Sequence, residues 1–402
     1  MIIERPNEIE KINKINKWLL IYGRRKTGKT FLVNNFIKYN EYFFVKTDRG
    51  ILDKNNRQIS YDLFIELMKS TLERNETVVV DEFHRLEKGF FDMLHSMRKN
   101  GKLILLSSTL FLSKKMISEK SPLLGLFAEI PVGLLCLGDT LKALKKYKLE
   151  KKEWLELGIL LREPIAIDYF DEKKKARELV AEIVLSSLKT IPALVGEIFL
   201  EEEREISAVY EGILRGVASG KVSSGEISSY LFSRKLIGKD DPSIIQQYLN
   251  NLIYFGIIRR INIFNKKRFA YKIASPLAKI YYYVDEKYNL TERKASEKEL
   301  GIIIDELMPR IVEDNVREFL AEKNGLIESI IEAKDYDIDA CLLKFNKVEM
   351  AIEIKWGKLD KGDILKAEEN LNKIDSKQRA LFVNDKDKID SNLKVWDVTD
   401  LI

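Results

Sequence analysis

The eight residues Gly23-Arg-Arg-Lys-Thr-Gly28-Lys29-Thr30 constrain this chain more than any others. They follow the apolar run WLLIY and precede FLVNNFI, which opens as an amphipathic helix. G-x-x-x-x-G-K-T between a strand and a helix is the layout of a phosphate cradle. Gly23 and Gly28 let the backbone turn its N–H groups toward phosphate oxygens, and the helix N-terminus adds partial positive charge. Lys29 is placed to reach the β- and γ-phosphates, and the Thr30 hydroxyl to ligate Mg2+. A loop of this kind demands an α/β fold built on a parallel sheet, with its site at the carboxyl ends of the strands.

About fifty residues on, ETVVVDEFHRL supplies a second part. Val78 to Val80 read as a buried strand, and Asp81 and Glu82 emerge at its C-terminal edge. Asp81 is the expected holder of magnesium through water, and Glu82 the base that orients an attacking water. The next strand, GKLILLSSTLF, ends in Ser107, Ser108 and Thr109, polar residues at the height where a γ-phosphate is sensed. His84 reads as a surface helix residue.

With 402 residues the chain is too long for one ordinary core, so several domains are expected. Its net charge of +5 does not by itself point to nucleic acid, so such a partner must be read from local patches. Two cysteines, Cys136 and Cys341, exclude a disulfide framework and a cysteine-rich zinc site, and two histidines argue against a His-based metal centre. No apolar stretch reaches the roughly 18 residues of a membrane span and the N-terminus lacks an apolar leader, so a cytoplasmic protein is expected, with no membrane partner. An oligomer is compatible with the chain.

From about Tyr210 the pattern changes to helix, Ser/Gly turn and helix, then a third helix with Ile245, Leu249, Leu252 and Ile253 at helical spacing, stopped by Gly256. Two short strands follow around Asn265-Lys266-Lys267. Three helices and a β-wing describe a winged helix-turn-helix. Arg259, Arg260, Lys266, Lys267, Arg268 and Lys272 stand in and around the wing with no acid among them, interleaved with Phe264, Phe269 and Tyr271. Such a patch suits DNA phosphate contact. The third helix, however, carries Gln246, Gln247, Asn250 and Asn251 and no cation, so packing on protein stays open as the other reading.

The last stretch reads as helix, hairpin, strand, helix, strand. In its hairpin, DYDIDACLLKFNKVEMAIEIKWGK, a turn at Asn346-Lys347 sets Asp339 opposite Ile354, while Glu353 and Lys355 share one face. A bulge or slip of one residue is required to bring Asp339 to them. Two carboxylates and an ammonium so gathered suit a magnesium site that activates water for phosphoryl chemistry, with Glu313 completing the shell. The bland alternative is an ion pair on a solvated strand face.

The segments IIERPNEIEKI, GRRKTGKT, VVVDEF and KTIPALVGEI resemble the archaeal AAA-type ATPases of the STAND/MNS group of P-loop NTPases. The resemblance implies ATP as the nucleotide, Arg5 and Pro192 beside the adenine, and a helical lid; Thr190 replaces a family glycine before the proline. Glu313 in RIVEDNVREFL, Asp339 in DYDIDA and Glu353-Ile-Lys355-Trp356 in AIEIKW resemble the PD-(D/E)XK nuclease fold in its DUF234-type form, with Asp337 where that family often has glutamate. The implied architecture is α/β and multidomain: a P-loop ATPase domain over 1–136, a lid over 137–203, a winged helix over 204–290 and a nuclease-like domain over 291–402. It implies ATP hydrolysis coupled to DNA binding and Mg-dependent cleavage, or else a regulatory switch whose nuclease-like domain binds without cutting.

Overall fold

The computed structural model describes residues 1–108, 125–196, 204–289, 292 and 296–402. Thr109 and residues 197–203 of the expected lid lie outside them. The chain divides into one unit over 4–134 and a second over 1–3 and 135–402.

The first unit is a seven-stranded sheet. Its strands are β1 (Trp18–Tyr22), β2 (Glu41–Val45), β3 (Ile51–Leu52), β4 (Gln58–Ile59), β5 (Thr77–Asp81), β6 (Lys102–Ser107) and β7 (Phe127–Pro131). Their order is β4-β3-β2-β5-β6-β1-β7. Neighbours from β2 to β7 run parallel, and β3 and β4 are antiparallel additions at one edge. The central strands are continuous apolar runs because both faces are covered. Leu20, Val78, Val80, Leu103 and Leu105 enter one core, while Leu19, Ile21, Val79, Ile104 and Leu106 enter the other. In consequence β6 lies between the strand leading into the phosphate loop and the strand bearing Asp81, and the three C-terminal ends stand side by side.

The second unit begins with the helices Leu137–Leu144, Lys151–Leu160, Ala176–Ser186 and Thr190–Gly196. The helices Arg204–Ala218, Ser224–Ser233 and Gln246–Tyr254 then lead into the antiparallel pair β8 (Ile258–Ile263) and β9 (Phe269–Ile273). Ser223 and Glu226 cap the second helix reciprocally, and Gly256, at φ 65°, follows the third as the left-handed residue that ends a helix. A 28-residue helix, Glu297–Asn324, passes through Pro309. Beyond it come β10 (Ser329–Glu332), β11 (Asp337–Ile338), β12 (Ala340–Lys344), β13 (Lys347–Lys355), β14 (Gln378–Val383) and β15 (Lys394–Trp396).

Here β8 pairs in parallel with β10, giving a sheet ordered β11-β10-β8-β9; β12-β13-β14-β15 form another. The expected 290/291 boundary therefore falls between two stretches that share a sheet. None of the described helices is long and apolar enough to cross a membrane.

The β12–β13 hairpin departs from the expected register. Phe345 and Asn346 both take positive φ, 48° and 62°, so the two-residue turn sits one position earlier than Asn346-Lys347. A bulge then follows between Leu342 and Leu343, after which Ala340 pairs with Ile352. Continuing that register by one residue sets Asp339 opposite Glu353 rather than Ile354. The one-residue slip that the site requires is supplied by the bulge.

Candidate functional sites

In the first unit, Gly23 is required by close approach: a Cβ there would lie 2.0 Å from the Val132 carbonyl oxygen. Gly28 is required by its φ of 84° at the start of the helix Lys29–Phe36. Lys29 is buried, and its Nζ donates to the carbonyl oxygens of Gly23 (2.8 Å) and Arg24 (2.7 Å). Burial depresses its pKa to about 8, against the pull of Glu82 and Asp81. The ammonium thus rests on two carbonyls that an incoming phosphate oxygen can replace.

The Thr30 hydroxyl donates to Asp81 Oδ2 at 2.7 Å, joining the loop to the end of β5. Tyr42, on β2, donates to the same oxygen at 2.8 Å. Asp81 is 2% exposed, and burial raises its pKa. Next to it Glu82 has left-handed backbone, φ 55°, which turns its side chain along the strand ends. Ser108 donates to Glu82 Oε2 at 2.9 Å. His84 is not a surface residue. Its side chain is 11% exposed, with Nδ1 3.2 Å from Ser107 Oγ and 3.4 Å from Glu82 Oε2. Burial, helped by Arg85, drives its pKa down to about 4, so it is a neutral partner at the end of β6.

Arg5 donates to the carbonyl oxygens of Thr27 (2.8 Å), Gly133 (2.8 Å) and Leu134 (3.3 Å), and to Glu8. It is a buttress beneath the phosphate loop, 4% exposed. Pro192 belongs to the second unit, in Thr190–Gly196. The Tyr42 and Arg5 contacts could not be read from the motif, because they come from sheet neighbours and not from spacing along the chain.

In the second unit, Asp339, Glu353 and Lys355 converge. Lys355 Nζ lies 2.8 Å from Glu353 Oε2 and 3.7 Å from Asp339 Oδ2. Asp339 Oδ2 also accepts from the Ile354 amide at 2.9 Å, and its backbone carbonyl accepts from Arg317 Nη1 at 2.9 Å. Glu353 is 1% exposed, and its Oε1 has no hydrogen-bond partner. Burial and the nearby Asp339 push its pKa up to about 8. Glu313 is likewise pushed up to about 8, by burial first, then Asp339 and Asp314. Burial opposes the charge on Lys355, but the Asp339 and Glu353 carboxylates outweigh it and raise the pKa.

Glu313 does not complete a shell: among the described residues no three His, Cys, Asp or Glu side chains stand together so as to hold a metal ion. The Asp339–Glu353 pair by itself still fits magnesium, which is commonly held by one or two carboxylates together with substrate phosphates. A cation, a water or a proton shared with Asp339 would each satisfy the Glu353 oxygen.

The wing cations separate into two sets. Arg259 is drawn inward: its Nη1 donates to both Glu328 oxygens (2.8 and 2.7 Å) and its Nη2 to the Asp314 carbonyl (2.9 Å). Arg260, by contrast, is exposed over the Phe269 ring, 4.6 Å from its centroid. Lys266 and Lys267 are exposed, as is Arg268, which also pairs with Glu332 at 2.9 Å.

Residues 15–130 match the AAA domain family. The chain is 24% identical over 408 residues to an uncharacterized protein of Methanocaldococcus jannaschii, covering 91% of this chain and 90% of that one. A Walker-type ATPase of Pyrococcus abyssi aligns with a TM-score of 0.50 and 20% identity, over 70% of this chain and 96% of its own. The two share a fold. The Aeropyrum pernix ORC1 protein, solved in complex with DNA, aligns at 14% identity over 73% of this chain and 95% of its own, with a TM-score of 0.29, too low to compare the folds.

Proposed function

We propose that this protein hydrolyses ATP in its first unit. The observation that carries this is the meeting of Lys29, Thr30, Asp81 and Glu82 at the adjoining ends of β1, β5 and β6. Lys29 exchanges its two backbone carbonyls for the β- and γ-phosphates, and Glu82, steadied by Ser108 and His84, orients the attacking water. Thr30 Oγ1 and Asp81 Oδ2 form a hard oxygen pair that fits magnesium, which when bound neutralises phosphate charge. Arg5 fixes the loop from beneath, and Gly23 and Gly28 keep its backbone open to phosphate. The test is ATP turnover by purified protein with Mg2+. Lys29→Ala and Glu82→Gln should each lose at least a hundred-fold, with Glu82→Gln retaining nucleotide affinity. A Lys29→Ala protein that turns over at the parent rate removes the assignment.

A second reading rests on the buried, unpartnered Glu353 oxygen beside Asp339 and Lys355. The second unit acts on DNA: the stretch 204–290 serves as a winged helix touching phosphates through Arg260, Lys266, Lys267 and Arg268, and 291–402 as a PD-(D/E)XK-like module. Asp339 and Glu353 would hold a magnesium ion, whose chemistry is to activate water and stabilise charge at phosphorus. Lys355 stands ready to neutralise a developing oxyanion, and Arg317 fixes the backbone at Asp339. Incubation with Mg2+ or Mn2+ and linear, branched or single-stranded DNA should give cleavage that Asp339→Ala and Lys355→Ala abolish. Binding without cleavage on every substrate favours instead a regulatory switch of the STAND type.

A further inference from the structure

At the opposite end of β13 from Glu353 lies a groove of about 1100 Å³. One wall is the β12–β13 turn, and another the β8–β9 turn with Phe264 and Lys266. Tyr336, Lys373 and the chain entering β14 close it. Six residue steps of about 3.3 Å separate Lys347 from Glu353, so the turn end of the groove lies about 20 Å from the carboxylate pair. It is a separate site.

The β12–β13 turn is costly in three ways. Phe345 takes a φ of 48°, a conformation that suits glycine or asparagine and penalises a bulky side chain. Its ring is 88% exposed, the most exposed large apolar side chain among the described residues. Its flanking lysines, Lys344 and Lys347, form the last cross-strand pair, placing like charges directly opposite each other. Packing explains none of these choices. An anionic polymer carrying flat rings would relieve the last two, since its phosphates pair with the lysines and its bases cover the ring. Across the groove Lys373 lies 4.8 Å from the centre of the Tyr336 ring, setting a second aromatic beside a cation.

We propose that this groove binds single-stranded DNA, with phosphates over Lys266, Lys344 and Lys347 and a base stacked on Phe345. The proposal rests on the reading of the second unit as DNA-acting, and it adds a strand-selective site to it. Duplex DNA keeps its bases stacked inward, so it can use the lysines but not the ring.

The test is binding of a labelled short oligothymidylate to the full chain, beside a hairpin duplex, in EDTA and without nucleotide so that cleavage plays no part. Phe345→Gly should weaken the oligothymidylate about ten-fold and leave the duplex unchanged. Phe345→Tyr should bind like the parent. Because glycine adopts positive φ freely, Phe345→Gly should melt no lower than the parent, so lost binding is not lost folding. Lys344→Gln with Lys347→Gln should reduce the slope of log affinity against log salt by about 1.4. Unchanged oligothymidylate binding by Phe345→Gly overturns the groove, as does an equal loss on duplex. Metal-dependent cleavage that survives alongside such a result leaves the broader reading standing. Binding that behaves as expected in a protein that never cuts removes only the cleavage.

Discussion

Replacing Arg259 with alanine separates a structural arginine from Arg260, which is proposed to contact DNA, because sequence gives the two the same standing. The Arg259 side chain is 15% exposed and holds the Glu328 carboxylate through both oxygens, the Asp314 carbonyl, and at 3.7 Å Glu318. Its loss leaves Glu328 with Arg317 Nε at 2.9 Å as its remaining pair. A charge-assisted bond contributes about 1.5–3 kcal/mol, and removing one partner of a buried pair costs more because the other charge is stranded. The partner retained by Glu328 moderates the loss, so Arg259→Ala should destabilise the second unit by about 2–4 kcal/mol. Arg260→Ala loses an exposed cation–π contact of about 0.5–1 kcal/mol. On duplex DNA the order reverses: Arg260→Ala should lower the salt slope by about 0.9 for one phosphate contact, while folded Arg259→Ala should leave it unchanged. Urea unfolding followed by tryptophan fluorescence gives the first quantity, and fluorescence anisotropy across a salt series the second. An Arg259→Ala protein that loses less than about 1 kcal/mol and also loses DNA affinity refutes the reasoning.

Gly23→Ala should abolish nucleotide binding and lower the melting temperature, since the added methyl meets Val132 O at 2.0 Å; calorimetry with ATP reads both. His84 has a folded pKa near 4 against an ordinary 6.5, so the unfolded chain takes up its proton first. Stability is therefore lost as pH falls from 6.5 toward 4, by up to about 3 kcal/mol, and His84→Gln should remove that part of the acid sensitivity in melts across pH. Burial opposes the charge on Asp314, but Lys272, Lys279 and Arg317 hold its pKa well below the usual carboxylate range. Its stabilisation is present above the ordinary carboxylate value and disappears as pH falls through the depressed one. Asp314→Asn should cost about 3–5 kcal/mol at neutral pH in urea unfolding.

The phosphate loop was legible because it is local: two glycines, a lysine and a threonine need only a strand before and a helix after. The acids of VVVDEF were legible for the same reason. What lies between them was not. That β6 inserts between β1 and β5 is a fact of strand order, and it makes Ser108 a partner of Glu82. His84 was misread because the helical pattern placed it outward, whereas the left-handed backbone at Glu82 begins a short 3-10 turn, Phe83–Arg85, that carries its ring to Ser107. In the hairpin the residues were legible and the register was not. A primed turn at Phe345-Asn346 defies the usual Asn-Gly preference, and a bulge has no signature in an apolar run. Arg259 was placed with the DNA contacts because no acid neighbours it in sequence; its acids arrive from Glu328 and Glu318, about sixty to seventy residues away.

Those distant acids tie the elements of the second unit together. Arg259 stands on β8, Glu328 just before β10, and Arg317 on the long helix. Arg317 Nε meets Glu328 at 2.9 Å, its Nη2 meets Asp314 at 2.6 Å, and its Nη1 meets the Asp339 carbonyl. The Asp339 carbonyl is thus held by one buried arginine, which also grips Glu328, the carboxylate that Arg259 of β8 holds, and β8 and β10 share backbone hydrogen bonds besides. Buried ion pairs of this kind are poor sources of stability compared with apolar packing, and their best-attested use is to fix one arrangement among several. Here the bulge sets Asp339 opposite Glu353, and the Arg317 bond to the Asp339 carbonyl holds the backbone at that point. A composition shift near residue 290 marks where one pattern ends and another begins, but the forces that position Asp339 cross it.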